Sequence, residues 1–507
     1  MKVLNIILLV FGVVGALLLI AGCVLIPVFQ WFIHKKIEQS VVLKNGSDAF
    51  KHWKSSPVPV YRQFWVFDVL NPDDIVNYNA TPKVKQMGPY TYSEIEDKKN
   101  VTFNDTVLSY LQPKSFVFEP KLSEGFLEND TFTSVDIPLL AVGTKVEHRS
   151  HLAKAIVKQL LRVFGPRRLF RRRTVKEYLW GYDDWLMSFL TQRTKLGLFT
   201  GPTGNGTDDG KYEIFTGKSD TSKLGDIVSW NGESSLPYWT TKECNMINGT
   251  DGTLWHPFVK KKDTLYVFSS DICRSIYAKY DSSYKLKGVI NVHRFVPAEG
   301  VFASPKKNPD NAGFCTPKGN CLDSGVLNVS VCKGAPIVMS QPHFYEGPRY
   351  SAAIEGMHPN KEEHQTVFDV EPYTGSILNV AKRLQINVFL KKLYVLNDTE
   401  NLHPTVFPII WLNETAKISN SLANELQAKL MEPIRTSRIL QFTLIGVGGA
   451  ILLVILVIFA VMTYLHRGEG SGLLAEEEPV DHSEPVDHSE PVDHSEHSGE
   501  VADNEDA

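Results

Sequence analysis

Few stretches of this sequence bring chemically capable side chains together. The segment His358-Pro359-Asn360-Lys361-Glu362-Glu363-His364 places two histidines beside two glutamates. A zinc-protease helix puts its histidines four apart with the glutamate between them, so that both share one face. Here the spacing is six and a proline interrupts, which predicts a structural or solvated role. No GxSxG elbow, HExxH, Walker loop, GxGxxG or EF-hand loop is present. The six cysteines contain no CxxC pair, against a zinc ribbon or thioredoxin-like centre. No catalytic residues, metal ligands or cofactor are expected, and a hydrolase reading lacks its constellation.

Binding chemistry is better represented. Lys145–Lys176 holds eleven Lys/Arg and one acidic residue, a local charge of +10. Crowded like charge is destabilising unless it is solvated or meets an anion. His151, Lys154, Lys158, Arg162, Arg167, Arg168, Arg171, Arg172 and Arg173 are therefore the expected ligand-binding residues. Anionic lipid, lipoprotein, glycosaminoglycan or an acidic protein patch would suit them. His148 and His151 flank the start of the run. Histidine titrates near pH 6.5, so this pair is expected to sense acidification and weaken a bound partner. Glu469-Gly-Ser-Gly-Leu473-Leu474 has the spacing of an acidic dileucine sorting signal: Glu469, Leu473 and Leu474 fit the basic and apolar pockets of a clathrin adaptor.

These residues must be positioned by the rest of the chain. Leu4–Ile33 and Ile439–Leu465 are uncharged runs of 30 and 27 residues, and a membrane-spanning helix needs about 20. The first run exceeds the roughly 7–15 apolar residues of a cleaved signal. It also continues past Cys23, where a lipoprotein would turn polar. Gly446, Gly448, Gly449 and Ala450 suit a helix-packing face in the second run. Lys35 and Lys36 follow the first run, which by charge bias alone would place the middle in the cytosol. Ten glycosylation sequons argue the reverse: Asn45, Asn79, Asn100, Asn104, Asn129, Asn205, Asn248, Asn328, Asn397 and Asn413. All lie between the runs, so the middle is expected to be lumenal and both termini cytosolic, which removes nucleic acid as a partner. Five cysteines share this oxidising segment, and two pairs among five can be drawn fifteen ways.

The divisions expected are a cytosolic stub 1–3, spans 4–33 and 439–465, a glycosylated lumenal domain 34–438 and a disordered acidic tail 466–507. The tail has 14 Asp/Glu against one Arg and repeats Pro-Val-Asp-His-Ser-Glu three times, too polar to fold. The net charge of −4 over 507 residues is thus a tail of −13 cancelling +9 elsewhere. In the middle, β-branched and aromatic segments predict strands at Val60–Val69, Thr106–Leu111, Ser115–Phe118, Leu265–Phe268, Gly288–Val296, Leu384–Leu393 and Thr405–Trp411. Helices are predicted over Ser150–Phe164, stopped by Gly165-Pro166, over Thr174–Leu190 and over Ser419–Met431. The fold class is α+β, with a large antiparallel sheet or barrel and two terminal transmembrane helices.

Several short motifs carry a resemblance. Asn71-Pro72, Gly88-Pro89-Tyr90-Thr91-Tyr92, Trp180-Gly181-Tyr182, Trp230-Asn231-Gly232 and Cys244-Asn245-Met246-Ile247-Asn248-Gly249-Thr250-Asp251-Gly252 come first. Cys273-Arg274-Ser275, Gly313-Phe314-Cys315, Pro342-His343-Phe344 and Glu355-Gly356-Met357-His358-Pro359-Asn360 follow. In this order they resemble the class B scavenger receptor family over about Ile37 to Leu430, and its lysosomal branch in particular. The resemblance implies an antiparallel β-barrel with an apolar tunnel, capped by an apical helical bundle that contains Ser150–Phe164. It implies disulfides Cys273–Cys332 and Cys315–Cys321, with Cys244 free. In the lysosomal branch the apical helix binds β-glucocerebrosidase, a histidine at its start governs release, and cholesterol and phospholipid use the tunnel. His151 is the matching histidine, but this helix is more basic than that branch implies. The expected protein is a non-enzymatic lysosomal membrane receptor, present also in late endosomes and at the plasma membrane, with homo-oligomers envisaged. The alternative is a plasma-membrane scavenger receptor that takes up lipoproteins or other anionic ligands by endocytosis.

Overall fold

A computed structural model describes residues 2–163, 167–184, 195–199 and 205–472. It divides into two compact units, residues 1–26 with 439–507 and residues 27–438. The terminal unit is built from α1 (Lys2–Val41) and the long C-terminal helix Glu432–Gly472, both long and apolar enough to cross a membrane. Small residues let their backbones meet. A Cβ on Gly448 would lie 2.6 Å from the Leu19 nitrogen, and one on Gly22 2.6 Å from Ile445 Cγ1. Gly446 has open space around it, so only part of the expected glycine face is used. The C-terminal helix continues to Gly472, beyond the expected span, with no proline between Leu465 and Pro479 to stop it. Glu469 lies on that extension; Leu473 and Leu474 lie outside the described residues.

The larger unit is organised by an eleven-stranded antiparallel sheet. Nine of its strands form one path and are labelled here β1 (Val60–Val69), β2 (Val84–Ile95), β3 (Ser115–Phe118), β4 (Leu265–Ser269), β5 (Arg274–Leu286), β6 (Ile290–Pro297), β7 (Val367–Val370), β8 (Ile377–Leu390) and β9 (Thr405–Lys417). Their order is β4-β5-β6-β7-β8-β9-β1-β2-β3, and Val326–Asn328 with Ile337–Ser340 branch from β8. The long central pair β8–β9 runs from Asn379↔Lys417 to Leu390↔Thr405. Phe64, Val66, Tyr90, Ile410 and Leu412 carry the core on one face of this sheet. Alternation makes the strands legible, because every second residue faces that core.

Pairing does not close the path into a ring among the described residues. Each edge is instead satisfied by a short segment. Thr250 donates to Tyr266 O and accepts from Phe268 N on β4. On β3, the Asn205 side chain accepts from Phe116 N and donates to Phe116 O. A separate four-stranded sheet, Ile227–Trp230, Tyr212–Phe215, Val107–Leu111 and Lys99–Asn104, carries the Trp53, Tyr110 and Tyr212 aromatic packing. The predicted helix Thr174–Leu190 is shorter, Val175–Trp180, and ends at Gly181, whose φ is +103°; positions 185–190 lie outside the described residues. Ser419–Met431 is helical as Asn420–Leu426 followed by a wider turn Gln427–Met431. Cys273 is bonded to Cys332 and Cys315 to Cys321, while Cys244 is a buried free thiol.

Candidate functional site

Two helices carry the basic run, α2 (Ile137–Glu147) and α3 (His151–Val163). Asp136 caps α2 by accepting from Leu139 N at 3.0 Å, and Pro138 follows where a helix tolerates it. Gly143 lets α2 sit on the loop after β8, since a Cβ there would come 2.8 Å from Leu396 Cδ1. Ser150 starts α3 by accepting from Ala153 N. Gly165 and Pro166, the predicted stop, lie outside the described residues.

α3 buries only Leu161. Leu152, Ile156 and Val163 are 72%, 52% and 67% exposed. Their spacing puts them on one stripe, so this helix turns a row of large aliphatic side chains outward. Arg162 is exposed, and Lys154 and Lys158 are half-buried. The Lys158 ammonium donates to Tyr394 O at 3.3 Å and lies 4.9 Å over the Tyr394 ring. His151 opens the helix and His148 ends α2; both are exposed.

The arginines past α3 do not form one free cluster. Thr131–Val135 pairs with Phe170–Thr174, and Ser134 lies opposite Arg171. Arg167 is turned inward, its side chain 4% exposed. It donates two hydrogen bonds of 2.8 Å to Asp136 and two, of 3.1 and 2.5 Å, to Asp184. Burial opposes its charge, yet the hydrogen bonds it donates to the two carboxylates hold the guanidinium protonated above its ordinary range. Arg167 therefore locks the capped end of α2 to the chain at Asp184, and it is removed from the ligand-binding patch expected from sequence. Arg171 also approaches Asp136, at 3.5 Å. Arg168 pairs with Asp73 at 2.8 Å, both exposed. Arg172 donates to Thr131 Oγ1, and Arg173 lies 3.3 Å over the Tyr182 ring. Of the cations expected to bind ligand, Arg162, Arg168, Arg171 and Arg172 are exposed, and Lys145, Arg149 and Lys176 of the same run are exposed with them.

Two further clusters lie in the interior. The first is a row of alternating charge across the core face: Asp271, Lys382, Glu414, Arg62, Glu94, Lys114 and Glu96. Lys382 approaches Asp271 at 3.3 Å and Glu414 at 3.9 Å, Arg62 contacts Glu414 and, at 2.9 Å, Glu94, and Lys114 reaches Glu94 at 3.5 Å. Register aligns it, since Glu414 on β9 lies opposite both Arg62 on β1 and Lys382 on β8. Burial, helped by Glu94 and Glu414, pushes Glu96 up to about 7 despite Lys114. Burial also opposes the Glu414 charge, but Lys382, Lys114 and Arg62 outweigh it and bring that carboxyl down to about 2. The row adjoins the apolar core at Phe64, Leu412 and Leu384, so this end of the core face is ionic.

The second cluster is histidine-rich. His343 Nδ1 accepts from His358 N at 2.9 Å, leaving its proton on Nε2, 2.6 Å from Gln86 Oε1. Trp411 donates to the same Gln86 oxygen at 2.7 Å. His364 stacks on His343 at 4.5 Å and accepts at Nδ1 from Asn360 N. Burial, then His364 and His358, lowers His343 to about 3; burial, then Arg383, lowers His364 to about 4. His364 is thus packed on His343, whereas His358 is exposed and contributes its backbone N–H, so the two histidines are not a helical metal pair. Sequence reading found neither the ionic row nor the part played by His343, because their members lie far apart in the chain.

Among the sequons, Asn45, Asn100, Asn104, Asn129, Asn205 and Asn397 are exposed, and Asn79, Asn248 and Asn328 are half-buried. Asn413 is buried on β9 and donates to Gln63 Oε1 at 3.0 Å.

Residues 13–459 match the CD36 family. Lysosome membrane protein 2 of Homo sapiens is 43% identical over 431 residues, which cover 83% of this chain and 88% of that protein. Its Mus musculus counterpart is 41% identical, covering 82% and 87%. Scavenger receptor class B member 1 of Cricetulus griseus is 35% identical over 454 residues, 87% of each chain.

Proposed function

The chain belongs to the CD36 family, and on that footing we propose that it is a receptor of the lysosomal membrane which captures a lumenal protein through α3. The observation that carries this reading is the outward stripe of Leu152, Ile156 and Val163. Fully burying each such side chain against a partner contributes about 1.5–3 kcal/mol, while the exposed Arg162 on the flank of α3 steers an acidic partner. β-Glucocerebrosidase is the first candidate partner. Protonation of His151 would add positive charge to the first turn of α3, an end that its free N–H groups already make positive. In this proposal release in an acid compartment comes from the weakened first turn of α3, an effect that has to outweigh the added attraction for an acidic partner. In the same proposal the domain 34–438 is lumenal, both termini are cytosolic, and Glu469, Leu473 and Leu474 bind clathrin adaptors. The large sheet curls into a barrel around a tunnel for cholesterol and anionic phospholipid, with α2 and α3 in the bundle that caps it. The ionic row from Asp271 to Glu96 would line part of that tunnel, so its wall is not apolar throughout.

A second reading, a surface scavenger receptor for anionic particles, is favoured by the exposed Arg162, Arg168, Arg171 and Arg172. A pull-down at neutral pH separates the two. Full-length receptor should retain purified β-glucocerebrosidase and lose it in Leu152→Asp/Ile156→Asp. If that variant still captures the enzyme, the docking surface is misassigned. Lipoprotein capture abolished by Arg168→Glu/Arg172→Glu, with no enzyme retained by wild type, would establish the second reading instead.

A further inference from the structure

A third basic site lies within the large unit, around His34 and Arg438. In the sequence the two apolar runs end at His34 and Arg438, which sets the headgroup level of a bilayer. Trp31, with the Lys35 ammonium 5.0 Å over its ring, has the character of an interfacial anchor. Two loops paired with each other reach both helix ends at that level. The Phe258 ring stacks on His34 at 3.8 Å, with planes 6° apart. Phe258 N donates to Tyr373 O at 3.1 Å and Val259 N to Pro372 O at 2.8 Å. Arg438 in turn donates to the Tyr373 hydroxyl at 3.1 Å.

The next residues of the Phe258 loop are Lys260, Lys261 and Lys262, all exposed. Asp263 forms the turn that presents them, accepting from Lys260 N at 2.7 Å while its own N–H donates to Lys260 O. The carboxylates near these groups already have other work. Glu38 lies 3.6 Å from His34, and Asp263 closes the turn. Through Phe258 on His34 and Tyr373 on Arg438, the three exposed lysines are tied to the helix ends that carry Lys35, Lys36 and Arg438, with Lys261 5.2 Å over the Tyr280 ring.

We propose that the Lys260–Lys262 loop, with Lys35, Lys36 and Arg438, is a binding site for the phosphate headgroups of anionic phospholipid in the adjoining leaflet. Charge complementarity and continuity with the two spanning helices favour a membrane lipid over a soluble anion. Each lysine that reaches the headgroups strengthens binding about fivefold. The inference rests on the two helices crossing the membrane and is separate from ligand capture by α3.

Full-length protein reconstituted in phosphatidylcholine vesicles would report on this site through spin-labelled phosphatidylglycerol and spin-labelled phosphatidylcholine, using the immobilised fraction of each. The expected result is a preference for the anionic label that falls at least about fivefold in Lys260→Glu/Lys261→Glu/Lys262→Glu and partly in the corresponding Gln variant. The preference should also weaken in 1 M salt, where screening acts within about 3 Å. Equal immobilisation of both labels by wild type, or an unchanged preference in the Glu variant, overturns the proposal. Displacement of the anionic label by millimolar inorganic phosphate would show a soluble-anion site and overturn it too. Resistance of the protein to alkaline extraction from the vesicles checks the spanning premise independently.

Discussion

Arg167 and Arg168 are neighbours in one basic run, and nothing local distinguishes them. One is buried between Asp136 and Asp184; the other is exposed against Asp73. The partners of Arg167 lie 31 and 17 residues away, so spacing alone could not assign it a structural role. His343 and His364 make a second case, and one with a pH signature. In the folded protein they titrate near 3 and 4, against about 6.5 when unfolded. Above pH 6.5 both states are neutral and the cluster contributes fully. Below it the unfolded chain binds protons that the folded chain refuses, so stability falls with pH down to the folded values. By pH 5 the loss is about 2 kcal/mol per histidine. Thermal melting of wild type and His364→Gln at pH 7.5 and 5.0 checks this. The variant should lose less stability on acidification, whatever its melting temperature at pH 7.5.

Strands with strong alternation were readable as elements. Val60–Val69 and Ser115–Phe118 have the expected bounds, and the predicted Leu384–Leu393 overlaps a longer strand, Ile377–Leu390. Arg274–Leu286 escaped notice because its Lys279-Tyr280-Asp281-Ser282-Ser283 centre is polar, and β6 alone supplies its pairing there. The helix α3 was also legible as a helix, with a clear apolar period. What periodicity cannot reveal is which stripe a helix buries. The structure chooses Leu161 and leaves Leu152, Ile156 and Val163 outside. Two single substitutions test that division. Leu161→Ala should cost about 2–5 kcal/mol of stability. Leu152→Ser, at a site with no packing to lose, should stay within about 0.5 kcal/mol while weakening partner capture. Equal destabilisation by both, seen in thermal melting, would mean that α3 is seated the other way round.

At the scale of the molecule, the near-neutral net charge of −4 conceals separate regions with separate tasks. An acidic tail follows the second apolar helix, while the middle carries the large sheet, two disulfides and the basic helices. Strand patterning made the large antiparallel sheet readable in advance, and the family resemblance the cysteine pairing. The ionic row and the contacts linking His34, Phe258, Tyr373 and Arg438 were hidden, because each joins segments that only the fold brings together. Sorting is a property of the whole chain: replacing Leu473 and Leu474 with Ala should move the protein from lysosomes to the cell surface, as surface biotinylation would show. The central claim, however, is that α3 is the surface that meets the lumenal ligand. A photo-reactive amino acid placed at Ile156 of the full-length receptor tests it directly, with the exposed Tyr78 as the control position. Irradiation with β-glucocerebrosidase at neutral pH should give a covalent adduct from position 156 and none from position 78; adduct from position 78 alone would contradict the account.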